Sequence, residues 1–457
     1  MGMGSPCKRL QRPIPLLTSP LKGEELSQEF SHMFTFVFLA ALVATTLVKL
    51  WLASRQIRFV ASHRDTVPQR FAERVGLTAH RKAADYTIAR TRLAMIELLV
   101  GAALLVFLTV AGGLQAIDDG LAALLGDAHP MLRQLALVGS VVLVSAIVDL
   151  PFSLYRQFRL EAHFGFNRMS LTLFVADMVK SALIGVALGV PLLVIVLWLM
   201  AAAGNAWWLY AWLVWMGFNL IVLVLFPTVI APLFNKFEPL ADVSLKTRIE
   251  TLLTRCGFAS KGVFVMDGSK RSAHGNAYFT GFGAAKRIVF FDTLVSRLAP
   301  AEIEAVLAHE LGHFARRHVI KRIVWSFAMS LAGLALLGWL AQQPWFYAGL
   351  GADPTLAMKN AFALLLFVFV MPVFTFPLAP LMSFASRRHE FEADAYAAAH
   401  TDPADLIRAL VKLYEDNAAT LTPDPLHSTF YDSHPPAALR IGRLEAGLAA
   451  LAPALSR

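Results

Sequence analysis

The chain has 457 residues, 57% of them hydrophobic and only 16% charged, which excludes an ordinary soluble protein of two or three domains. Its net charge of +9 falls mostly in the segments between apolar stretches, the pattern of a membrane protein drawn to anionic lipid, so no nucleic-acid partner is expected. Two cysteines, Cys7 and Cys256, with no C-x-x-C pair, exclude a disulfide framework and a cysteine zinc site.

Residues 1–32 are polar and contain proline, and read as a flexible tail with no cleavable signal peptide. Apolar stretches long enough to span a bilayer follow at about 33–53, 93–113, 134–155, 171–201, 206–234, 323–343 and 360–383, which predicts a multi-pass protein with seven membrane helices. The first five occupy 33–235 and are interrupted by a basic loop over 54–92. Between Ser54 and Arg92 stand nine Lys or Arg, between Ile117 and Leu132 none, and Tyr155 to Ser170 carries Arg156, Arg159 and Arg168. The alternation continues with Lys236 to Arg322 basic and Ala341 to Met358 free of Lys and Arg. Basic loops stay in the cytoplasm, which predicts an outside N-terminus and a cytoplasmic 236–322 segment and C-terminus; in a bacterial host the membrane would be the inner or plasma membrane. Asp149, Asp177 and Lys180 lie within or near span ends. Asp177 and Lys180 read either as a snorkelling pair or as cavity-lining groups.

Segment 236–322 is the main extramembrane part. Helical spacing runs from Leu245 to Cys256, a short strand from Gly262 to Met266, and two further strands, Asn276 to Thr280 and Arg287 to Phe291, flank a Gly281-Phe282-Gly283 turn. A small sheet of this kind offers an edge strand that can hold an extended peptide. Then comes His309-Glu310-Leu311-Gly312-His313, preceded by Pro300 and the acidic Glu302 and Glu304 suited to a first helical turn. Residues four apart stack one turn apart on a helix, so both imidazoles reach one metal ion while Glu310 is rotated towards its open side, where it can take a proton from water. Gly312 weakens the helix by about 1 kcal/mol relative to Ala, which points to close approach of another backbone. Arg316, Arg317 and His318 read as a basic edge, solvated or facing the membrane.

The spans at 323–386 end with Pro372, Pro377 and Pro380, which should kink or break the last helix. The remainder, 387–457, completes the site. A catalytic zinc needs a third protein ligand, and Glu390 and Asp394 stand four apart on one helical face. Glu390 is the candidate ligand, and Asp394 the acceptor that fixes a ligand imidazole's tautomer. Glu392 points away and reads as solvated; His389 is the rival ligand.

These residues resemble the M48 membrane zinc peptidases, and within them the CaaX prenyl protease 1 or Ste24-type group. The likeness covers Tyr155 to Asn167 with Glu161, Ala231 to Lys236, Asp267 to Ser272, Asn276 to Phe279 and Phe291 to Leu294. It continues through the His309 motif, Arg387 to Asp394, and Ser433-His434-Pro435-Pro436 with Arg440. It implies a mainly α architecture: a barrel of seven membrane helices around a water-filled chamber, capped by a cytoplasmic, gluzincin-like α+β peptidase domain. The resemblance also implies one zinc ion per chain on His309, His313 and Glu390. Glu310 is the implied general base and His434 the implied stabiliser of the oxyanion. Asn276 falls at the substrate strand, and Arg440 near the substrate or behind the ligands. Substrates would be peptides or proteins; the eukaryotic members act on prenylated C-terminal CaaX peptides, and membrane lipid surrounds the chain. An HtpX-like quality-control protease and a non-enzymatic membrane protein with structural zinc are the competing readings.

Overall fold

The structure is a computed structural model that describes residues 20–126, 128–260, 262–280, 287–353 and 359–455. Seven helices among the described residues are long and apolar enough to cross a membrane. In chain order they are α1 (Pro20–Ser62), α2 (Leu77–Leu108), α4 (Pro130–Tyr155), α5 (Leu171–Ala202), α6 (Trp207–Leu225), α9 (His318–Leu340) and α10 (Lys359–Thr375), with a short α3 (Gly113–Leu125) between the second and third. Residues 20–32, expected as tail, instead begin α1, because Pro20 and the following Lys and Glu residues suit a helix start. Residues 1–19, Cys7 included, lie outside the described residues. Much of the expected 54–92 loop is also helical, since α1 runs on to Ser62 and α2 begins at Leu77. Hydropathy marks only the lipid-matched part of a helix; backbone hydrogen bonding carries it further. Arg64 Nε to Asp85 Oδ1 at 2.7 Å ties the two projecting ends together.

The spans are packed at their ends. At one end Phe38, Leu108, Leu114, Leu137, Leu197, Trp207, Leu340 and Phe362 share a core, with Arg133 and Asp118 buried in a 2.6 Å ion pair that anchors α3 to α4. Between the ends only 0% to 39% of each span's most apolar window is buried. Such helices touch flanking neighbours alone, and Lys49 stands within one of the apolar stretches, where a charge is tolerated only beside protein, water or a counter-charge.

The other end carries the soluble layer. A four-stranded sheet has the order β1-β2-β4-β3, with β1 (Phe237–Pro239), β2 (Val263–Met266), β3 (Ala277–Thr280) and β4 (Arg287–Phe291). β3 and β4 are antiparallel, Ala277 opposite Phe290; the Gly281–Gly283 turn lies outside the described residues. β1 was not expected, because three residues ending in Pro239 carry no alternation to read. Helices α7 (Val243–Arg255), α8 (Pro300–Ala315), α11 (Ala379–His400), α12 (Pro403–Asp416), α13 (Pro425–Tyr431) and α14 (Ala437–Leu455) pack around it. Ile249, Phe290, Leu307, Leu311, Leu406, Leu410 and Ile441 form one core from residues far apart in sequence, with Phe71 joining from the α1–α2 connection. The proline-rich break falls at Phe376–Leu378, a 3-10 turn between α10 and α11. Asp177 and Lys180 do not pair: Asp177 binds Arg271 at 2.8 Å, and Lys180 Nζ donates to the Leu233 carbonyl at 2.9 Å. Arg271 draws Asp177 away because a guanidinium grips a carboxylate with two donors.

Candidate metal centre

The ligand helix α8 starts with Pro300, and Glu302 Oε2 accepts the Ala299 N–H at 2.7 Å, so its first turn is closed. Ile303, Leu307 and Leu311 sink into the core beneath it. That fixes the helix rotation and turns His309 and His313 towards α11. A Cβ on Gly312 would lie 2.9 Å from Ala393 Cα and 3.1 Å from the Ala393 carbonyl oxygen. The glycine therefore lets α11 approach backbone to backbone, and this contact brings Glu390 across the two imidazoles.

His309 Nε2 and His313 Nε2 stand 3.3 Å apart, and each is 3.5 Å from a different oxygen of Glu390. A tetrahedral zinc with donors at about 2.0–2.1 Å has donor-to-donor edges of about 3.3–3.4 Å, so the triangle has the size of one face of such a site. Glu390 Oε2 is buried with no hydrogen-bond partner, which an ion would supply. Among the described residues the metal-binding group comprises these three alone, so a fourth position is left for water or substrate.

Asp394 Oδ1 lies 2.9 Å from His309 Nδ1. Arg440 is buried behind it, donating Nε to Asp394 Oδ2 at 2.9 Å and Nη2 to Oδ1 at 2.6 Å, with Nη1 3.6 Å from Glu390 Oε2. Of the two positions expected for Arg440, substrate or behind the ligands, its hydrogen bonds to Asp394 fit the second, and it also lines the cavity beside the ligands.

Three side chains depart from the sequence reading. His318 is 1% exposed and not on a basic edge; its Nδ1 lies 3.1 Å from His313 Nδ1 and its Nε2 3.0 Å from Glu392 Oε2. Glu392 is therefore paired and partly buried. His389, the rival ligand, stacks on His318 with ring centroids 4.0 Å apart. The cause is local: α8 stops at Ala315, Arg317 takes a left-handed φ of 56°, and α9 starts at His318 with its ring folded back under His313. The polarity run around Arg316 concealed this.

A cavity of about 340 Å³ opens on the free side of the triangle, lined by Asn276, Ala277, Glu310, Glu390, Tyr414 and His434 among others. Among the described residues β3 pairs only with β4, so its outer edge is unpaired there and begins beside this cavity. Asn276 precedes it, its carbonyl accepting Phe291 N–H at 3.0 Å. His434 is 64% exposed at the side chain, with Nε2 3.5 Å from Glu390 Oε1 and Nδ1 3.1 Å from Ser433 Oγ. From the protein's own groups, burial alone would lower the His309 pKa, but the Asp394 and Glu390 carboxylates outweigh it and raise it to about 9. His313 is pushed down to about 4, by burial first and then by His309. Burial also raises Glu310 above the ordinary carboxylate range, with Glu390 adding to it.

A ring of membrane helices closed by a motif helix that faces its interior defines a membrane-embedded metallopeptidase. The chain belongs to peptidase family M48: residues 239–447 match the Peptidase family M48 model, and residues 56–236 match CAAX prenyl protease N-terminal, five membrane helices. It is 36% identical over 326 residues to CAAX prenyl protease 1 of Saccharomyces cerevisiae, covering 68% of this chain and 72% of the relative. It is 30% identical over 440 residues to a CAAX prenyl protease 1 homolog of Caenorhabditis elegans, covering 90% and 98%. A crystal structure of S. mikatae Ste24p superposes with a TM-score of 0.83 at 32% identity, covering 90% of this chain and 98% of that one.

Proposed function

We propose that the chain holds one zinc ion on His309, His313 and Glu390 and cleaves near the C-termini of prenylated peptides on the cytoplasmic side of its membrane. The observation that carries this reading is the donor triangle of 3.3 and 3.5 Å beside Glu310 and a free strand edge. Bound there, zinc supplies a Lewis acid for the scissile carbonyl and brings the pKa of water towards neutrality.

The chain's own residues do the rest. Glu310 takes a proton from the attacking water and returns it to the leaving amine, and its raised pKa suits both transfers. His434 donates from Nε2 to the oxyanion. The free edge of β3, headed by Asn276, holds the peptide extended by backbone hydrogen bonds. Asp394 accepts His309 Nδ1–H and leaves the Nε2 lone pair for the metal, while Arg440 holds Asp394 in place. On the second ligand, His313 Nδ1–H donates to His318 Nδ1 and His318 Nε2–H donates to Glu392.

The cytoplasmic placement is supported by the alternation of basic and uncharged loops. The prenylated substrate is supported by the names of the relatives. The test is hydrolysis of a farnesylated CaaX peptide and its unprenylated twin by the detergent-purified protein, with Glu310→Gln as blank. Faster Glu310-dependent cleavage of the farnesylated peptide is expected. Equal rates would move the substrate to general membrane proteolysis.

A further inference from the structure

A second cavity, of about 680 Å³, continues from the first, sharing Tyr414, Ala419 and His434 with it. Two helical stripes wall it. Lys49, Ala53 and Gln56 come from α1, and Thr87, Arg90, Ala94 and Leu98, with neighbours, from α2. These spacings of three and four residues put each set on one helix face. The Arg64–Asp85 pair fixes the antiparallel register of the two helices. Arg90 is thereby level with the Gln56 region, and Lys49 stands roughly 10 Å deeper at 1.5 Å per residue.

Lys49 lies within the predicted span 33–53, and Arg90 stands just short of the span 93–113, on the helices Ser27–Ser62 and Leu77–Leu108. A charge at such depth is costly unless it meets water or a counter-charge. Neither is matched by a carboxylate in an ion pair among the described residues. Lys49 Nζ sits 4.8 Å from the Phe376 ring and the Arg90 guanidinium 5.3 Å from the Tyr86 ring, contacts that position the cations without neutralising them. Glu161 acts on Arg90 only from a distance and is hydrogen-bonded by Tyr86 Oη at 2.5 Å. Asp432, which also lines the cavity, forms no ion pair with either cation among the described residues.

We infer that Lys49 and Arg90 form a subsite for the α-carboxylate of the substrate's C-terminus, so that the enzyme measures its cleavage position from the chain end. The inference rests on the peptidase reading for its ligand and adds which residues read the substrate. A peptide leaving the metal face towards His434 enters this groove, and about three extended residues cover the 10 Å between Arg90 and Lys49. An arginine and a lysine at two depths accept carboxylates from tails of slightly different length, the arginine by a two-donor grip and the lysine as a point charge. The same chemistry would also hold a lipid phosphate, which the test separates.

The experiment measures binding of one fluorescent peptide, as free acid and as C-terminal amide, to detergent-purified protein carrying Glu310→Gln, so that no turnover intervenes. The acid is expected to bind about tenfold tighter than the amide, the scale of one charge-assisted contact. Adding Lys49→Met and Arg90→Met should bring the ratio close to one while amide affinity moves less than about twofold. Equal binding of acid and amide, or a ratio that survives both substitutions, would overturn the subsite. In nanodiscs, a preference for phosphatidylglycerol over phosphatidylcholine that both substitutions abolish, with acid and amide bound alike, would reassign the cations to lipid phosphate. If the acid preference holds but the protein without the Glu310 substitution hydrolyses neither peptide, the subsite stands and the peptidase reading fails.

Discussion

Gly312→Ala tests whether the metal site depends on the close contact of α8 with α11. The added methyl carbon would begin 2.9 Å from Ala393 Cα and 3.0 Å from Tyr396 Cβ, whereas ordinary contact starts at 3.4 Å. Relief at Ala393 requires at least 0.5 Å, the difference between 3.4 and 2.9 Å, and the obstacle is backbone, which no rotamer change can move. Metal–ligand distances tolerate only about 0.2 Å. Withdrawing α11 by 0.5 Å therefore carries Glu390 and Asp394 out of register with His309 and His313. Helix propensity would favour alanine by about 1 kcal/mol and overpacking would cost about 1–3 kcal/mol, so thermal stability changes little and is a poor readout. Zinc retention is the informative one. A loss of about 10- to 100-fold in apparent affinity is expected, read by competition with a chromophoric chelator, with kcat/KM falling alongside. Full zinc content and undiminished activity in Gly312→Ala would refute the argument that this contact sets the ligand geometry.

His318→Ala and Glu392→Gln should each weaken zinc binding by about tenfold or more by freeing His313 Nδ1 or His318 Nε2, with faster metal loss in a chelator chase; an unchanged rate would make the chain from His313 to Glu392 incidental. Asp394→Ala leaves Arg440 buried without its bidentate acceptor and is expected to destabilise the soluble layer by about 3–5 kcal/mol, visible as a lower melting temperature and lost zinc. Zinc uptake should release about one proton at pH 7. His309, with a pKa raised to about 9, is protonated without metal, while His313, pushed to about 4, is already neutral. Apparent affinity should therefore rise about tenfold per pH unit up to the His309 pKa, and calorimetry in buffers of different ionisation enthalpy counts the proton. Zero release would contradict the assigned charge on His309.

The parts legible in the sequence are those set by periodicity. The four-residue step from His309 to His313 and from Glu390 to Asp394 puts each pair on one helical face, and the packing demand of Gly312 foretold that two helices meet there. The seven spans follow from apolar length alone. What stayed hidden depends on a single backbone angle or on distant partners. His318 turns inward only because Arg317 takes a left-handed φ, and nothing in Arg316-Arg317-His318 marks that break. Glu392, 160° from Glu390 by helical geometry, is buried in part because α9 lies on that side, a tertiary fact. Arg440 and His434 carry no local sign of the metal; the first is placed by the core of α14 and the second by a loop whose Pro435 carbonyl accepts from Tyr414 Oη at 3.3 Å.

The most direct test is a side-by-side comparison of the purified protein and Glu310→Gln for zinc content by elemental analysis and for hydrolysis of a farnesylated CaaX peptide. The account predicts one zinc per chain in both and cleavage only by the protein that keeps Glu310. Cleavage surviving in Glu310→Gln, or zinc absent from both at full activity, would contradict it.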